Sequence, residues 1–213
     1  MSYKVILCLF GLLICMTFQG QDYQFTQFYA APVNLNPAFT GNTAQSRFVM
    51  NYRNQWTAIP GAFVTYNVTY EQFIPQIKSG IGILLNHDRA GSGNLGYTSI
   101  LGLYSYEFQL NHDLYIRPGV SFGRSFRTLN MNELVFGDQL VRPDGSSSIE
   151  SLRPPNSAFF DVGSGLLMYS HNYWIGASVG HINKPNESVL GAEAGVPIKF
   201  SAHGGYRHMI RKK

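Results

Sequence analysis

The chain has only two cysteines, Cys8 and Cys15, and both lie in the first 20 of its 213 residues. Beyond that point there can be no disulfide, thiolate metal site or cysteine nucleophile. Charge is also scarce. Asp, Glu, Lys and Arg make up 13% of the chain, about half the usual share of roughly 25%. The net charge of +4 is thinly spread and clusters only at Arg207, Arg211, Lys212 and Lys213. With no basic helix and no stacking motif beside that cluster, nucleic acid is excluded as a partner. The six histidines never adopt H-E-x-x-H spacing. His87 and His112 each sit in an Asn-His-Asp triplet at a strand end, where turn chemistry accounts for them. No metal site and no cofactor are expected. Long apolar periodicity at 3.6 residues is missing as well, which excludes a helical core.

One apolar run is present, at the N-terminus. Lys4 supplies a positive start and Val5 to Phe18 is almost unbroken apolar sequence. A membrane-spanning helix needs about 20 apolar residues, so this run is too short to be one. Residues 1–20 are therefore expected to be a secretory signal peptide cut near Gly20, with residues 21–213 forming one exported domain. Cys15 follows Ile14, which argues against a lipid anchor.

Period 2 dominates the remainder. Phe63–Phe73 places Val64, Tyr66, Val68 and Tyr70 on one face and Thr65, Asn67, Thr69 and Glu71 on the other. Gly80–Asp88, Leu95–Leu110, Leu114–Phe122, Ala158–Ser170, Tyr173–His181 and Ile198–Tyr206 also read as strands. With Arg47–Trp56 the total is about eight. Aromatics make up 14% of the chain, and the polar faces are mostly Ser, Thr, Asn and Gly.

Strand length and loop pattern choose between two all-β architectures. Several segments reach the roughly 9–11 residues of a tilted membrane strand, against about 5–6 in a typical globular strand. Asn111–Asp113 and His171–Asn172 read as tight turns, whereas Asn130–Pro155 and Asn183–Pro197 are long and polar. Short turns on one rim and long loops on the other are a habit of membrane barrels. The expected fold is therefore an antiparallel up-and-down transmembrane β-barrel, with a secreted β-sandwich as the rival.

Several segments then resemble the PorP/SprF family of type IX secretion system outer-membrane proteins. They are Gln21–Tyr29, Asn34-Leu35-Asn36-Pro37-Ala38-Phe39-Thr40-Gly41, Asn51-Tyr52-Arg53-Asn54-Gln55-Trp56, Gly80-Ile81-Gly82, Asn86–Gly91, Leu134–Gln139 and His203–Tyr206. The resemblance implies a bacterial outer-membrane barrel without catalysis. It implies as partners the outer-membrane lipid, the type IX secretion machinery, and cargo adhesins of secretion and gliding or periplasmic ring proteins. Its motifs single out Asn36, Pro37, Arg53, Trp56, Asp88, Arg89, Gly137 and Asp138 as family-motif or partner-contact residues. One departure bears on the fold: members of the family usually carry further strands. Eight strands here either close a small barrel or belong to an incomplete one, and the lysine-rich end favours truncation.

Other matches are formal. Gly91–Gly96 fits G-x-G-x-x-G, but a strand follows it where a nucleotide site needs a helix. Gly119–Gly123 fits G-x-S-x-G, yet Ser121 lies inside an alternating strand, not on a strand-to-helix elbow. A lipase-like barrel using Ser121 with His171, His181 or His203 is the enzyme alternative, and a passive pore is another. Asn67-Val68-Thr69 and Asn186-Glu187-Ser188 are glycosylation sequons without an expected role. Trp56 is expected as an interfacial anchor and Arg53 as an inward partner of a carboxylate such as Glu71, with a partner-binding rim as the functional reading. Gln21–Gly41, polar and strand-poor, either plugs the lumen or extends toward periplasmic partners.

Overall fold

In the computed structural model the alternating segments form nine strands among the described residues: β1 Arg47–Gln55, β2 Phe63–Ile74, β3 Ser79–Ala90, β4 Leu95–Tyr106, β5 Phe108–Gln109, β6 Tyr115–Thr128, β7 Asn156–Tyr169, β8 Tyr173–Gly180 and β9 Lys199–Tyr206. Two short helices accompany them, α1 Pro32–Leu35 and α2 Gly137–Val141. The structure describes residues 22–58, 61–91, 93, 95–130, 134, 137–141, 156–188 and 194–208, with Asp138 and Gln139 described by backbone alone.

Every pairing is antiparallel, and the sheet runs β1-β2-β3-β4-β6-β7-β8-β9, with β5 attached to β6. Among the described residues no pairing joins β1 to β9, so the sheet has two free edges. The sheet is strongly curled. The 3-10 turn Pro37–Phe39 touches β4, β6 and β7, and Phe39 meets Trp174 of β8 edge-on and stacks on His203 of β9. One turn reaches that many strands only if they wrap around it, which makes the sheet a half-barrel.

Its amphipathicity is inverted relative to a water-soluble sheet. The concave face buries Thr65, Asn67, Thr69, Glu71, Ser99, Ser105, Arg117 and Ser125. The convex face carries Phe48, Met50, Ile83, Leu85, Ile100, Phe122, Leu166, Ile175 and Phe200, all exposed. Phe48, Met50 and Phe200 keep 64%, 68% and 75% of their surface open. A large continuous apolar face of this kind marks a membrane or partner surface in a folded protein. Strands alternating apolar-out and polar-in are the membrane-barrel pattern. The conventional apolar core is small: Val33, Leu84 and Leu103, with Phe39 and Leu101 packed against it.

The antiparallel path also sorts the connections onto two rims. Residues 75–78, 110–114 and 170–172 close one rim with short turns. The strand ends at Gln55, Phe63, Ala90, Leu95, Thr128, Asn156, Gly180 and Lys199, which the longer connections join, lie on the other.

Two strands differ from the sequence expectation. Leu95–Leu110 is broken at Glu107, whose N–H bonds the carbonyl of Lys78 at 2.8 Å and leaves the ladder. β6 continues past Phe122 to Thr128. Gly123 does not end it; a Cβ there would collide with the Ile100 carbonyl on β4, so the glycine permits close strand approach.

Candidate functional site

The concave face is occupied by the chain's own N-terminal segment. Residues 22–41 thread the lumen from the long-loop rim, where Asp22 meets His181 and Lys199, to the short-turn rim, where Gly41 meets Glu71. The Gln21–Gly41 stretch thus takes its plug conformation over the described residues.

Asn36 fixes the middle of the thread. Its Oδ1 accepts the N–H of Ala38 at 2.8 Å and caps the Pro37–Phe39 turn. Its Nδ2 donates to the carbonyls of Leu166 on β7 and Ala177 on β8, each at 3.1 Å, and lies 3.0 Å from Nε2 of His203 on β9. Asn36 is completely buried. Four contacts on one short side chain position the turn, and each would leave a buried group unpaired if removed. The approach is tight: a Cβ on Gly119 would collide with the backbone of Ala38, and one on Gly165 with the Asn36 carboxamide. Gly119 of the G-x-S-x-G match is therefore explained by packing.

At the short-turn end Thr40 Oγ1 donates to the carbonyl of Pro37 at 2.7 Å. The Thr40 carbonyl accepts from Ser105 Oγ at 2.6 Å and from Arg117 at 3.4 Å. Gly41 N–H donates to Glu71 Oε2 at 2.7 Å, and Arg47 pairs with the other oxygen of that fully buried carboxylate. Arg117 is 2% exposed and pairs with Glu107, which also accepts the Tyr169 hydroxyl. Its guanidinium lies 5.3 Å from the Phe73 ring centroid and 5.8 Å from that of Tyr169. A buried cation needs this degree of pairing to be tolerated.

At the long-loop end Asp22 lies 3.2 Å from His181 Nε2 and 3.0 Å from Lys199 Nζ. His181 Nδ1 lies 2.9 Å from Asp161 on β7. Burial opposes charge on His181, but its hydrogen bonds to Asp161 and Asp22 outweigh that and raise its pKa to about 9. Burial likewise opposes ionisation of Asp22, yet His181 and Lys199 hold its carboxyl well below the ordinary range. Tyr23 follows, its hydroxyl pushed up by burial and donating to Asn34 Oδ1 at 2.8 Å. Arg127 and Glu187 pair nearby. A cavity of about 100 Å³ remains between thread and wall, lined in part by Leu84, Ser99, Ser121 and Asp161.

The residues singled out by sequence fall into three groups. Asn36 and Pro37 are buried in the thread. Arg53 and Asp88 point inward at one level near the long-loop rim, because Arg53 stands opposite Thr65 and Thr65 opposite Asp88. Asp88 accepts the Thr65 hydroxyl at 2.6 Å. Arg53 donates to Gln55, not to Glu71 as expected; the β1–β2 register sets Arg47 opposite Glu71, and Arg47 takes it. Trp56 and Arg89 lie exposed at the same rim, Trp56 with φ of 61° and its ring 5.1 Å edge-on from Phe63. Gly137 sits exposed in α2, and the side chain of Asp138 lies outside the described residues. Sequence reasoning missed the networks of Asp22, His181, Asp161 and Lys199 and of Arg117 with Glu107. The signal was a charged residue on the polar face of an alternating strand, as at Arg117 and Asp161.

Ser121 lies mid-strand, opposite Leu103 and Gly163. Among the described residues no hydrogen bond joins it to a histidine, and no group of three or more His, Cys, Asp or Glu is placed to hold a metal. No helix among the described residues is long and apolar enough to cross a membrane, which says nothing of a barrel.

Residues 17–212 match the family model described as type IX secretion system membrane protein PorP/SprF. No curated protein and no solved structure gives a significant match.

Proposed function

We propose that this chain, which belongs to the PorP/SprF family of type IX secretion outer-membrane proteins, is a non-catalytic wall-and-plug element of that apparatus. Its role is to help secrete particular cargo proteins, gliding adhesins among them, or to hold them at the surface. The observation that carries this reading is the family match over residues 17–212. The threaded lumen supports it, because a sheet whose interior is filled by its own residues 22–41 is suited to protein contacts at its rims more than to passive conduction. The mid-strand position of Ser121 likewise gives no support to a nucleophile elbow. Residues 1–20 act as the export signal and the convex face meets the outer-membrane lipid, with the long-loop rim outward as in other bacterial barrels.

The test is deletion of the gene in its own host, followed by mass spectrometry of proteins shaved from intact cells and of the culture medium. Loss of a restricted set of large surface proteins, restored by the wild-type chain, is the expected result. An unchanged surface and secreted proteome overturns the cargo role. A variant lacking residues 22–41 that still reaches the membrane is expected to lose cargo or co-purifying partners; full function without them removes the thread from the mechanism.

A further inference from the structure

Charge is divided unequally between the two faces of the sheet. The acids of the described strands are Glu71, Asp88 and Asp161, and all point to the concave side. The Arg and Lys residues of these strands point there too, with two exceptions. Arg89 of β3 and Arg124 of β6 lie exposed on the convex side, and His87 of β3 shares that face. Neither arginine takes part in an ion pair among the described residues. β3 and β6 are interior strands with described neighbours on both sides, so this patch does not depend on what joins either edge of the sheet.

Arg124 stands between Ile100 and Phe160 of the neighbouring strands, well inside the end of β6 at Thr128. A cation on a lipid-facing surface is costly unless it reaches the interface or meets an anion there. The Arg124 guanidinium lies 5.9 Å from the ring centroid of Phe126, which is nearer the long-loop rim, so the side chain leans outward. Phe126 ends a row that crosses β1, β2, β3, β4 and β6 at one level. Tyr52, Tyr66, His87, Thr98 and Phe126 are successive cross-strand partners. The Tyr52 and Tyr66 rings lie 5.2 Å apart, the His87 ring stacks 6.5 Å from Tyr66, and His87 Nδ1 lies 2.8 Å from Thr98 Oγ1. An aromatic row at this position is an interfacial girdle. Arg89 lies about 7 Å along its strand beyond the row and Arg124 about 7 Å inside it. The two cations bracket the level at which headgroups begin.

We propose that this patch binds the phosphorylated sugar headgroup of lipid A, the glycolipid of the outer leaflet. Its phosphate oxygens meet Arg89 and Arg124, with His87 between them, and its acyl chains lie along Ile83, Leu85, Ile100 and Phe122. Charge complementarity carries the choice of occupant. Two cations without a carboxylate partner call for an anion, and the planar guanidinium fork matches phosphate oxygens in pairs. Basic clusters at the edge of a membrane span recognise anionic headgroups in this way. Position selects the leaflet, because both arginines lie toward the long-loop rim, which faces outward. The short-turn half of the same face carries Tyr70 and Tyr104 but no Arg or Lys on a described strand, so cations are not a general feature of this interface. The exposed rings of Tyr52 and Tyr66 add flat apolar surface and hydroxyls where the sugars would lie. The proposal rests on the convex face meeting lipid with the long-loop rim outward, and not on the cargo role.

The test is purification of the chain in mild detergent from urea-washed outer membranes of its host, with the lipid it retains identified and quantified by mass spectrometry. Lipid A is expected to remain bound. Arg89→Gln combined with Arg124→Gln is expected to lower the amount retained about tenfold or more. Arg89→Lys with Arg124→Lys keeps the charge and is expected to keep most of the lipid, and Lys78→Gln at the opposite rim is expected to change nothing. Delipidated wild-type chain is then offered lipid A, dephosphorylated lipid A or phosphatidylglycerol, each alone; this arm does not depend on any variant folding. Preference for lipid A over both is expected. Equal uptake of the dephosphorylated form, equal uptake of phosphatidylglycerol, or full retention by the glutamine pair overturns the proposal. A chain that urea washes out of the membrane overturns the lipid-facing reading of the convex face and this proposal with it. A chain that stays in the membrane and carries no lipid A overturns this proposal alone.

Discussion

Replacing Leu85 by lysine separates a lipid-facing sheet from a water-facing one. Leu85 is the seventh of the twelve residues of β3, points to the convex side and keeps 41% of its surface open. Val68 and Ile100 stand opposite it on the neighbouring strands. If this face met water, the change would behave as a surface substitution and shift stability by no more than about 0.5 kcal/mol. In lipid, a lysine near the midplane costs about 2–4 kcal/mol, falling to about 0–1 near the interfaces. The larger figure range corresponds to roughly 30- to 900-fold in the folding equilibrium. Ile81→Lys is the matched control, because Ile81 is the third residue of β3, near the short-turn rim, and is 41% exposed on the same face.

The assay is urea unfolding of chains inserted in lipid vesicles, followed by the fluorescence of the two tryptophans, with the slope checked for constancy between variants. Leu85→Lys is expected to lower the midpoint strongly and Ile81→Lys to leave it almost in place. Equal small effects at both positions would refute the membrane reading, since no depth-dependent medium would then lie against the convex face. Equal large effects would refute it too, pointing to a protein partner that covers rim and centre alike.

Three further outcomes follow. Gly119→Val puts branched carbons where the backbone of Ala38 lies; limited proteolysis is expected to cut within residues 22–41 while the strands stay protected, and an uncut segment would refute the tight seat. Docking of Asp22 depends on pH with a definite sign. His181 titrates near 9 when folded against 6.5 ordinarily, so its contribution is complete below about 6.5 and is lost as pH rises through 9. The Asp22 carboxyl is depressed from 3.8, so its contribution is present above that value and lost as acid protonates it. Protection against hydrogen exchange at residues 22–25, taken relative to the intrinsic exchange rate at each pH, is therefore expected to be greatest between about pH 4 and 6.5 and lower at pH 9.5, a difference that Asp22→Asn should abolish. Arg117→Met strands Glu107 and is expected to cost about 3–5 kcal/mol in the same urea assay. The double change with Glu107→Gln should recover much of that loss, and its failure to do so would show that the pair does not act as a unit.

The strands were readable because period 2 needs no knowledge of the rest of the chain, and Phe63–Phe73 displays it without interruption. The choice of which face turns inward was not in the period at all. It came from composition: a chain this poor in charge and rich in aromatics has too little polar surface to cover a soluble sheet. Register was hidden. Arg53 and Arg47 are both on the inward face of β1, and period 2 alone does not say which of them falls opposite Glu71; the β1–β2 register gives it to Arg47. Glycine was ambiguous in the same way, ending a strand in one context and allowing close approach in another, as Gly123 does.

The thread was the least legible part, and its energetics explain why. Asn36 bonds groups 130, 141 and 167 residues away, so no local pattern encodes its place. What the local sequence does encode is a demand. Residues 22–41 form only single turns of helix and no strand, and short helical pieces are marginal by themselves. Their backbone groups must find partners elsewhere, and the concave faces of β2, β4, β6, β7, β8 and β9 offer carboxylate, hydroxyl, guanidinium, amide carbonyl and imidazole groups that must likewise be satisfied. Each half is costly alone: a half-barrel lined with buried Glu71, Arg117 and His181 and no thread would leave these groups short of the partners that Gly41, Thr40 and Asp22 supply, and a thread in water would not hold its turns. The fold is the arrangement in which the two deficits cancel, so the chain that fills the lumen is a structural part of the wall as well as its plug.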